Sequence, residues 1–262
     1  MELQGKKVLI TGGTRGIGRC IVEELIGRGV SHLAIIARDK SRLKGLQEEY
    51  PDVKILKIAG DVADIDVLRE AAARIEDKWG QLDILINNAG IISAGPLEEL
   101  PDEELYDQVA VNFTAVLLLT KYCIPLLKSS GDGHILNISS GLGLLGMPFY
   151  AVYGSTKAAI GHFSDCMRRE LAPDNVHITC SFPTATDTDM MQKFEDRKMD
   201  APAYVAKRSL DALLNKELQV VFGGQEREDH VALNFNDRKK FDVIVAENYE
   251  ARRASSAGHK AL

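Results

Sequence analysis

Short apolar runs alternate with amphipathic segments along the first 183 residues. Near-continuous apolar runs are typical of parallel strands covered on both faces, and they fall at 8–10, 33–37, 55–58, 84–86, 134–138 and 177–181. Between them, apolar positions at helical spacing predict helices over 18–29, 40–50, 65–79, 102–128 and 152–171. This alternation predicts an α/β fold of the Rossmann type, a doubly wound parallel sheet with helices on both faces.

One domain accounts for most of the chain, since no repeat or linker interrupts the alternation. We assign it to residues 1–224, where a helix over 203–215 and a strand over 218–222 follow a loop. Residues 225–262 form a charged extension, for which we expect partial helix, near 238–252, and a frayed end.

The composition is that of a soluble globular protein. Of 262 residues, 45% are hydrophobic and 27% are charged, and 32 Lys and Arg against 38 Asp and Glu give a net charge of −6. That balance argues against a nucleic-acid partner, which requires a basic surface. The histidines show no ligand-like spacing with a carboxylate, so no metal site is predicted.

The cysteines and the apolar segments bear on cellular location. Cys20, Cys123, Cys166 and Cys180 show no paired spacing, which favours free thiols in a reducing compartment. The first residues are polar and lack the apolar stretch of a signal peptide. The apolar stretch 115–127 is interrupted by a charge and a proline and is too short to cross a bilayer. We therefore expect a cytoplasmic protein with no membrane span.

A glycine-rich turn follows the first strand directly. Glycines at a strand-to-helix turn allow positive φ angles and let a pyrophosphate approach the helix N-terminus, where amides and the helix dipole favour an anion. The spacing differs from the commonest dinucleotide fingerprint, and no Gly-Lys-Ser/Thr follows, as a P-loop would require. We predict a dinucleotide site here, the alternative being a tight turn without a ligand. The predicted contacts are Gly12, Thr14, Arg15, Gly16, Ile17 and Gly18.

Two arginines indicate which dinucleotide is bound. An acidic residue at the tip of the second strand selects NAD, whereas here Arg38 lies at that tip and Arg15 lies in the glycine turn. Guanidinium groups suit the 2′-phosphate of NADP, because they bind phosphate in bidentate fashion and keep their charge. We predict NADP(H). Ordinary surface arginines, partly offset by Asp39, would instead be compatible with NAD.

A tyrosine and a lysine are candidates for proton transfer. Tyr153 and Lys157 lie four residues apart at the start of a predicted helix, so both side chains project from one face. A nearby ammonium favours the phenolate and lowers the pKa of the tyrosine, which would let it exchange a proton with an alcohol or carbonyl. Ser140 follows a predicted strand and can hydrogen-bond the same oxygen. A Tyr-x-x-x-Lys pair alone is common by chance, so it indicates a catalytic site only together with the other motifs of the chain.

In combination these motifs resemble the short-chain dehydrogenases/reductases, over residues 5–224. The glycine turn is similar to the family's cofactor turn, Asp61-Val62 to its adenine-contacting pair, and Asn87-Asn88-Ala89-Gly90 to the motif closing its fourth strand. The family's catalytic tetrad is matched in order and spacing by Asn112, Ser140, Tyr153 and Lys157.

The resemblance implies an oxidoreductase that passes hydride between nicotinamide C4 and a substrate carbon, while Tyr153 moves the proton on oxygen. It also implies that Lys157 binds the nicotinamide ribose and that Asn112 holds a helix backbone and a relay water. The chain departs from the family's Pro-Gly-x-x-x-Thr at Thr184, which leaves the path of that loop open. The further cofactor contacts implied are Asp61, Val62, Asn88, Ala89, Gly90, Tyr153, Lys157, Pro183, Thr186 and Thr188.

An apolar ketone, aldehyde or secondary alcohol is the expected substrate. In this family the loop containing Met190, Met191 and Phe194 closes over the substrate, and core packing is the alternative role for these side chains. The apolar residues between Ser140 and Tyr153 also indicate an apolar substrate; they are Leu142, Leu144, Leu145, Met147 and Phe149.

Two other functions stay open at this level. One is an NAD-dependent alcohol or hydroxysteroid dehydrogenase, and the other is a non-catalytic dinucleotide sensor, which would not need the complete tetrad. The resemblance also implies an oligomer built on the helices 102–128 and 152–171. We expect a homodimer rather than a tetramer, because the chain after Gly224 is unlike the short ending of tetrameric members.

Overall fold

The computed structural model describes residues 2–191 and 199–261. Its strands are β1 (Lys7–Thr11), β2 (His32–Ala37), β3 (Lys54–Ala59), β4 (Ile84–Asn87), β5 (Ile92–Ser93), β6 (Gly133–Ile138), β7 (Val176–Phe182), β8 (Gln219–Val221) and β9 (Lys260–Ala261). Its α-helices are α1 (Gly16–Gly27), α2 (Lys40–Glu49), α3 (Ile65–Trp79), α4 (Asp102–Val109), α5 (Ala115–Ser129), α6 (Ala151–Glu170), α7 (Pro202–Leu214), α8 (Gly224–Asn236), α9 (Arg238–Ala246) and α10 (Tyr249–Ser256).

Seven of the described strands form one parallel sheet in the order β3-β2-β1-β4-β6-β7-β8. The strand order reverses beside β1, which pairs with β2 on one side and with β4 on the other. The doubly wound, Rossmann-type fold predicted from the sequence is thereby confirmed. In such a sheet, a crevice opens at the carboxyl ends of the strands where the order reverses.

The sheet separates two hydrophobic layers. Consecutive strand residues point to opposite faces, so Val8 and Ile10 of β1 pack with α1 and α7, whereas Leu9 packs with α3 and α5. All three side chains are fully buried. Burial of each such side chain contributes about 1.5–3 kcal/mol, which holds the strands from both faces.

The helix predicted over 102–128 is interrupted by a wider turn. α4 ends at Val109, residues Ala110–Thr114 adopt a π-helical turn, and α5 then continues to Ser129. The π turn contains Asn112, one of the predicted catalytic residues. Turns of this kind often lie at functional sites, because they turn a side chain out of the regular helical pattern.

The same helical rod, Asp102–Ser129, is 28 residues long and apolar enough to cross a membrane by length and composition. The apolar stretch 115–127 is therefore part of a longer helix, whose length and composition alone do not decide whether it spans a membrane. Leu119, Cys123 and Leu127 belong to the hydrophobic core, so this side of the rod faces the protein interior. Core helices pass the same length and composition test as membrane spans.

The carboxyl-terminal segment differs from the expected frayed end. Helices α8, α9 and α10 lead to β9, which pairs antiparallel with β5 beside the mouth of the crevice. Ala94 N donates to the carbonyl of His259 at 3.0 Å, and His259 is buried. The Lys260 ammonium pairs with the Glu104 carboxylate, which also accepts a hydrogen bond from the Ser93 hydroxyl. These contacts anchor the carboxyl-terminal segment. The predicted boundary between a domain of residues 1–224 and an extension of residues 225–262 stays a prediction.

Candidate active site

A cavity of about 1100 Å³ lies at the carboxyl ends of the strands, where the sheet order reverses. Its size is at the upper end of ligand pockets in proteins. The structure places the predicted proton-transfer residues Ser140, Tyr153 and Lys157 in its lining. The predicted cofactor contacts line it as well: Gly12, Thr14, Arg15, Gly16, Ile17, Gly18, Arg38, Asp61, Val62, Asn88, Ala89, Gly90, Pro183, Thr186 and Thr188. The individual roles of these residues stay predictions.

The glycine turn presents an open helix N-terminus to this cavity. Gly12 and Gly16 have φ angles of +68° and +53°, in the region that favours glycine. A Cβ atom on Gly18 would lie 2.2 Å from the carbonyl oxygen of Gly12, so a side chain there would push the helix away from the strand. Arg15 precedes α1 without capping it through its side chain. The amides of the first turn, together with the helix dipole, therefore fit the pyrophosphate of a dinucleotide.

Reciprocal hydrogen bonds tie the glycine turn to the end of β4. The Thr11 hydroxyl accepts from the backbone N–H groups of Asn88 and Ala89, both at 3.0 Å. In return, the side-chain amide of Asn88 donates to the carbonyl oxygens of Thr11 at 3.0 Å and Gly12 at 3.2 Å. Asn88 thus lines the cavity as predicted, but its amide holds the turn. Thr11 is not among the predicted site residues, although a hydroxyl at a strand end commonly bonds neighbouring backbone in this way.

Positively charged side chains gather at the end of the cavity beyond β2. Arg38 lies 3.8 Å from Asp61, and Arg15 and Arg42 lie 3.7 Å and 3.9 Å from Asp189. Each arginine is about half exposed. Arg42, on the first turn of α2, is missing from the sequence-based set, although its position four residues after Arg38 could have revealed it.

Asp39 caps the start of α2. Its carboxylate accepts hydrogen bonds from the Ser41 hydroxyl at 2.6 Å, from Ser41 N at 2.9 Å and from Arg42 N at 3.1 Å. These bonds, with that of the Ser41 hydroxyl first, lower the pKa of Asp39. The carboxylate that follows Arg38 is therefore engaged by a helix N-terminus.

Tyr153 and Lys157 lie on the first two turns of α6, at the buried side of the cavity. Burial raises the pKa of Tyr153 to about 12, opposed by its hydrogen bond with Ser140, and lowers the pKa of Lys157 to about 8. The predicted downward shift of the tyrosine pKa is thus reversed. Desolvation outweighs the lysine charge, because Lys157 Nζ lies 5.8 Å from the Tyr153 ring centroid. At neutral pH, Tyr153 is consequently a protonated phenol.

Backbone contacts fix the lysine in place. Lys157 Nζ donates to the carbonyl oxygen of Ile138 at the end of β6, at 3.0 Å. The Ser139 hydroxyl donates to the carbonyl oxygen of Lys157 at 2.7 Å. The ammonium is therefore held by the same strand end that precedes Ser140.

Asn112 acts on the site through the backbone. Its side-chain oxygen accepts from Ile91 N at 2.8 Å, and its amide nitrogen donates to Ile91 O at 2.9 Å and to the Thr156 hydroxyl at 3.3 Å. Asn112 is buried. It joins the π turn to the segment after β4 and to α6. The role in catalysis that the resemblance implies for Asn112 stays a prediction.

The loop after β7 is fixed where the chain departs from the family pattern. The Thr184 hydroxyl donates to Asp200 Oδ2 at 2.5 Å. Asp200 N donates to Ala185 O at 2.9 Å, and Asp187 N donates to Asp200 O at 3.0 Å. A Cβ atom on Gly16 would lie 3.2 Å from Thr188, so the loop returns against the glycine turn. Thr184 thus supplies a hydrogen bond that a glycine could not.

Only part of the predicted apolar set reaches the cavity. Leu142, Met147, Met190 and Met191 line it. The other members between the serine and the tyrosine pack elsewhere: Leu144 joins the core beside Ile160 and Phe182, Leu145 is fully buried, and the Phe149 ring lies 5.2 Å from that of Tyr249. Phe194 lies outside the described residues.

The carboxyl-terminal segment supplies cavity residues that are absent from the sequence-based set. Arg227, His230, Arg252 and His259 all line the cavity. His259 Nδ1 lies 3.1 Å from the hydroxyl of Tyr150, also a lining residue. No local motif marks these positions: Arg227 and His230 lie on α8, directly after β8, and His259 lies beside the pairing of β9 with β5.

The comparisons with known proteins agree with this geometry. Residues 6–199 match the short chain dehydrogenase family. A 3α-hydroxysteroid dehydrogenase of Mediterraneibacter gnavus is 32% identical over 194 residues, which cover 73% of this chain and 78% of that protein. The chain belongs to the short-chain dehydrogenase family. It is accordingly an oxidoreductase of the class that acts on CH–OH and C=O groups with a nicotinamide dinucleotide.

Two solved structures bear on the cofactor. A short chain dehydrogenase from Burkholderia cenocepacia in complex with NADP has a TM-score of 0.82 and 26% identity, covering 94% of this chain and 99% of that one. A 3-ketoacyl-(acyl-carrier-protein) reductase from Brucella melitensis complexed with NADH has a TM-score of 0.77 and 28% identity, covering 84% and 98%. These relatives support a nicotinamide dinucleotide and do not distinguish NADP from NAD.

Replacing Lys157 with methionine should raise the unfolding free energy of the ligand-free protein at pH 7 by about 2 kcal/mol. Lowering the lysine pKa from 10.5 to about 8 costs roughly 3 kcal/mol in the protonated form, and the lost hydrogen bond to Ile138 offsets about 1 kcal/mol of the gain. That cost is complete below pH 8 and is relieved as the pH rises toward 10.5, so the two proteins should converge over that window.

Urea denaturation of both proteins between about pH 7 and 10 measures this difference. The exposed Lys207, changed to methionine, is the matched control and should show no such convergence. A Lys157→Met protein that is less stable than the parent at pH 7 would contradict the account.

Proposed function

We propose that this protein is an NADP(H)-dependent carbonyl reductase that acts reversibly on apolar ketones or aldehydes. The observation that carries the proposal is the meeting of Ser140, Tyr153 and Lys157 with the glycine turn in one cavity. A sensor that only binds a dinucleotide would have no use for a buried phenol and a buried ammonium, since both groups are costly to bury.

The raised pKa of Tyr153 makes this residue a proton donor at neutral pH, which is the role that carbonyl reduction requires. A phenol with a pKa of about 12 keeps its proton at neutral pH and donates it to the carbonyl oxygen of a substrate as that oxygen becomes negative. The Ser140 hydroxyl hydrogen-bonds the same oxygen, and the Lys157 ammonium stabilises the phenolate that remains on Tyr153. The chemistry that a bound nicotinamide supplies is the hydride transfer to the carbonyl carbon.

The arginines support NADP over NAD. Three guanidinium groups, those of Arg15, Arg38 and Arg42, lie around the end of β2, where the ribose of a dinucleotide binds in this fold. Arg15 lies 3.7 Å from Asp189 and Arg38 lies 3.8 Å from Asp61, whereas Arg42 lies 3.4 Å from Asp39, a carboxylate that the start of α2 also engages. A 2′-phosphate would supply a closer, bidentate partner.

We further propose a cytoplasmic homodimer. The free thiols Cys20, Cys123, Cys166 and Cys180 suit a reducing compartment. The exposed apolar side chains on α4 suit a self-association surface.

The Tyr153→Phe variant should lose about 10²–10⁴-fold in turnover while it keeps its affinity for NADPH. The phenyl ring fills the same space but has no proton to donate. The measurement is NADPH oxidation, followed by absorbance, with the neutral substrates benzaldehyde, acetophenone and cyclohexanone and with the keto acids acetoacetate and levulinate. Tyr106→Phe, at an exposed tyrosine on α4, is the control and should behave like the parent. A Tyr153→Phe protein with parental turnover would refute the proposed proton donor, and NADPH binding without consumption by the parent would favour the sensor.

The Arg38→Leu variant should bind NADPH about tenfold or more weakly, with NADH affinity unchanged within about twofold. The selective loss is expected because only NADP carries the phosphate that Arg38 would contact. Fluorescence titration of both cofactors measures it, with Arg74→Leu on the outer face of α3 as control. If the parent binds NADH more tightly than NADPH, an NAD-dependent alcohol or hydroxysteroid dehydrogenase replaces the present proposal.

A further inference from the structure

Two arginines face the same cavity as the catalytic residues but are far from them in sequence. Arg227 lies on the first turns of α8 and Arg252 lies on α10. Both line the cavity together with Ser140 and Tyr153. They are brought there by the carboxyl-terminal segment, which β9 anchors to β5.

Arg227 packs directly beside the catalytic serine. A Cβ atom placed on Gly141, the residue after Ser140, would lie 3.5 Å from Arg227 Cζ and 3.8 Å from its Nε. The stem of the same side chain packs on Gly223, where a Cβ atom would lie 3.1 Å from Arg227 Cβ. The guanidinium is therefore held over the segment that leads from β6 into the active site.

The second cation is close to the first. Arg227 and Arg252 line the same cavity. Burial lowers the pKa of Arg227, the Glu226 carboxylate opposes this shift, and the positive charge of Arg252 adds to it. Two half-buried guanidinium groups that repel each other are an unfavourable arrangement unless an anion lies between or beside them.

Among the described residues, close carboxylate partners of the two guanidinium groups are lacking, although Glu226 acts on Arg227 at longer range. No ion pair within 4.0 Å involves Arg227 or Arg252 there, and Arg252 Nε is buried without a hydrogen-bond acceptor. The neighbouring Arg253 is different, since it is exposed and lies 4.0 Å from Glu99. Of the acidic residues that line this side of the cavity, Asp200 accepts from the Thr184 hydroxyl, and Glu226 is exposed.

This pair is separate from the arginines assigned to the cofactor phosphate. Gly141 follows β6, which is two strands away from β1 in the sheet order, and Arg38 follows β2 on the opposite side of β1. At about 4.8 Å per strand, the end of β6 lies roughly 10 Å from that of β1. Arg227 is thus on the β6 side of the cleft, and the lining of the same cavity includes the apolar side chains of Leu142 and Met147.

We propose that Arg227 and Arg252 form an anion subsite, and that the substrate is a ketone or aldehyde carrying an acidic group, carboxylate or phosphate, on an otherwise apolar body. This inference rests on the proposed carbonyl reduction and adds the charge of its substrate. A guanidinium group binds either a carboxylate or a phosphate through paired hydrogen bonds. A substrate without the acidic group would leave these half-buried cations without that partner, so the site should disfavour it.

Pairs of substrates that differ only in charge test the subsite. Pyruvate, acetoacetate and levulinate place the carboxylate at increasing distance from the ketone, and their methyl esters are the neutral counterparts. Dihydroxyacetone phosphate and dihydroxyacetone form the phosphate pair. With NADPH, we expect at least one acid to exceed its neutral counterpart about tenfold or more in kcat/KM. Which pair shows the preference distinguishes carboxylate from phosphate.

Variants of the two arginines test whether these side chains cause the preference for acidic substrates. Arg227→Met and Arg252→Met should each reduce the ratio of acid to neutral kcat/KM about tenfold, mainly through KM, and Arg227→Lys should restore part of it. Arg253→Met is the matched control and should keep the parental ratio. Equal kcat/KM for acid and neutral substrates throughout, or a preference that survives in both Arg→Met variants, would overturn the subsite.

A binding measurement separates this inference from the proposed reaction. Calorimetry on the NADP⁺-loaded protein with levulinate and methyl levulinate, and with dihydroxyacetone phosphate and dihydroxyacetone, reports the subsite without any turnover. Tighter binding of an acid, lost in Arg227→Met, supports the subsite even if no ketone is reduced. Equal binding within both pairs refutes the subsite even if reduction of neutral ketones proceeds.

Discussion

The structure depends on the reversal of strand order beside β1 and on the hydrogen bonds that fix it. At this point the connections that follow β1 and β4 lead to helices on opposite faces of the sheet, α1 on one face and α5 on the other, so no single helix covers both strand ends. The Thr11 hydroxyl and the Asn88 amide join the two ends across the gap. Because these hydrogen bonds hold the two strand ends together, one cleft is lined by the glycine turn, by the segment that Asn112 holds and by the end of β6.

Within that cleft, burial determines the chemistry more than proximity of charges does. The phenol of Tyr153 is kept protonated and the ammonium of Lys157 is made easier to deprotonate, in each case because the charged form is desolvated. Such a pair suits an oxygen that becomes negative during reaction, since the proton moves toward it and the ammonium then neutralises the phenolate. The carboxyl-terminal helices close the substrate side and contribute its positive charge through Arg227 and Arg252.

The fold and most of the site could be predicted from local sequence. The apolar runs and helical periodicity predict the parallel sheet, because strands buried on both faces have few polar residues. The glycine turn and the Tyr153–Lys157 pair could be predicted since each is a short motif with its own geometry. The direction of the Tyr153 pKa shift could not, because it depends on desolvation by the assembled fold. The position of the last residues, including His259, could not be predicted either, because β9 is a two-residue strand whose pairing with β5 leaves no mark in the local sequence.

The central claim is that hydride passes from NADPH to a carbonyl carbon in this cleft, and isotope transfer measures it most directly. NADPH carrying deuterium at the transferable C4 position is incubated with the protein and a ketone that it consumes, and the alcohol is analysed by mass spectrometry. The account predicts an alcohol one mass unit heavier, with the label on the carbinol carbon. An unlabelled alcohol, or a failure to form alcohol from any aldehyde or ketone while NADPH is bound, would contradict it.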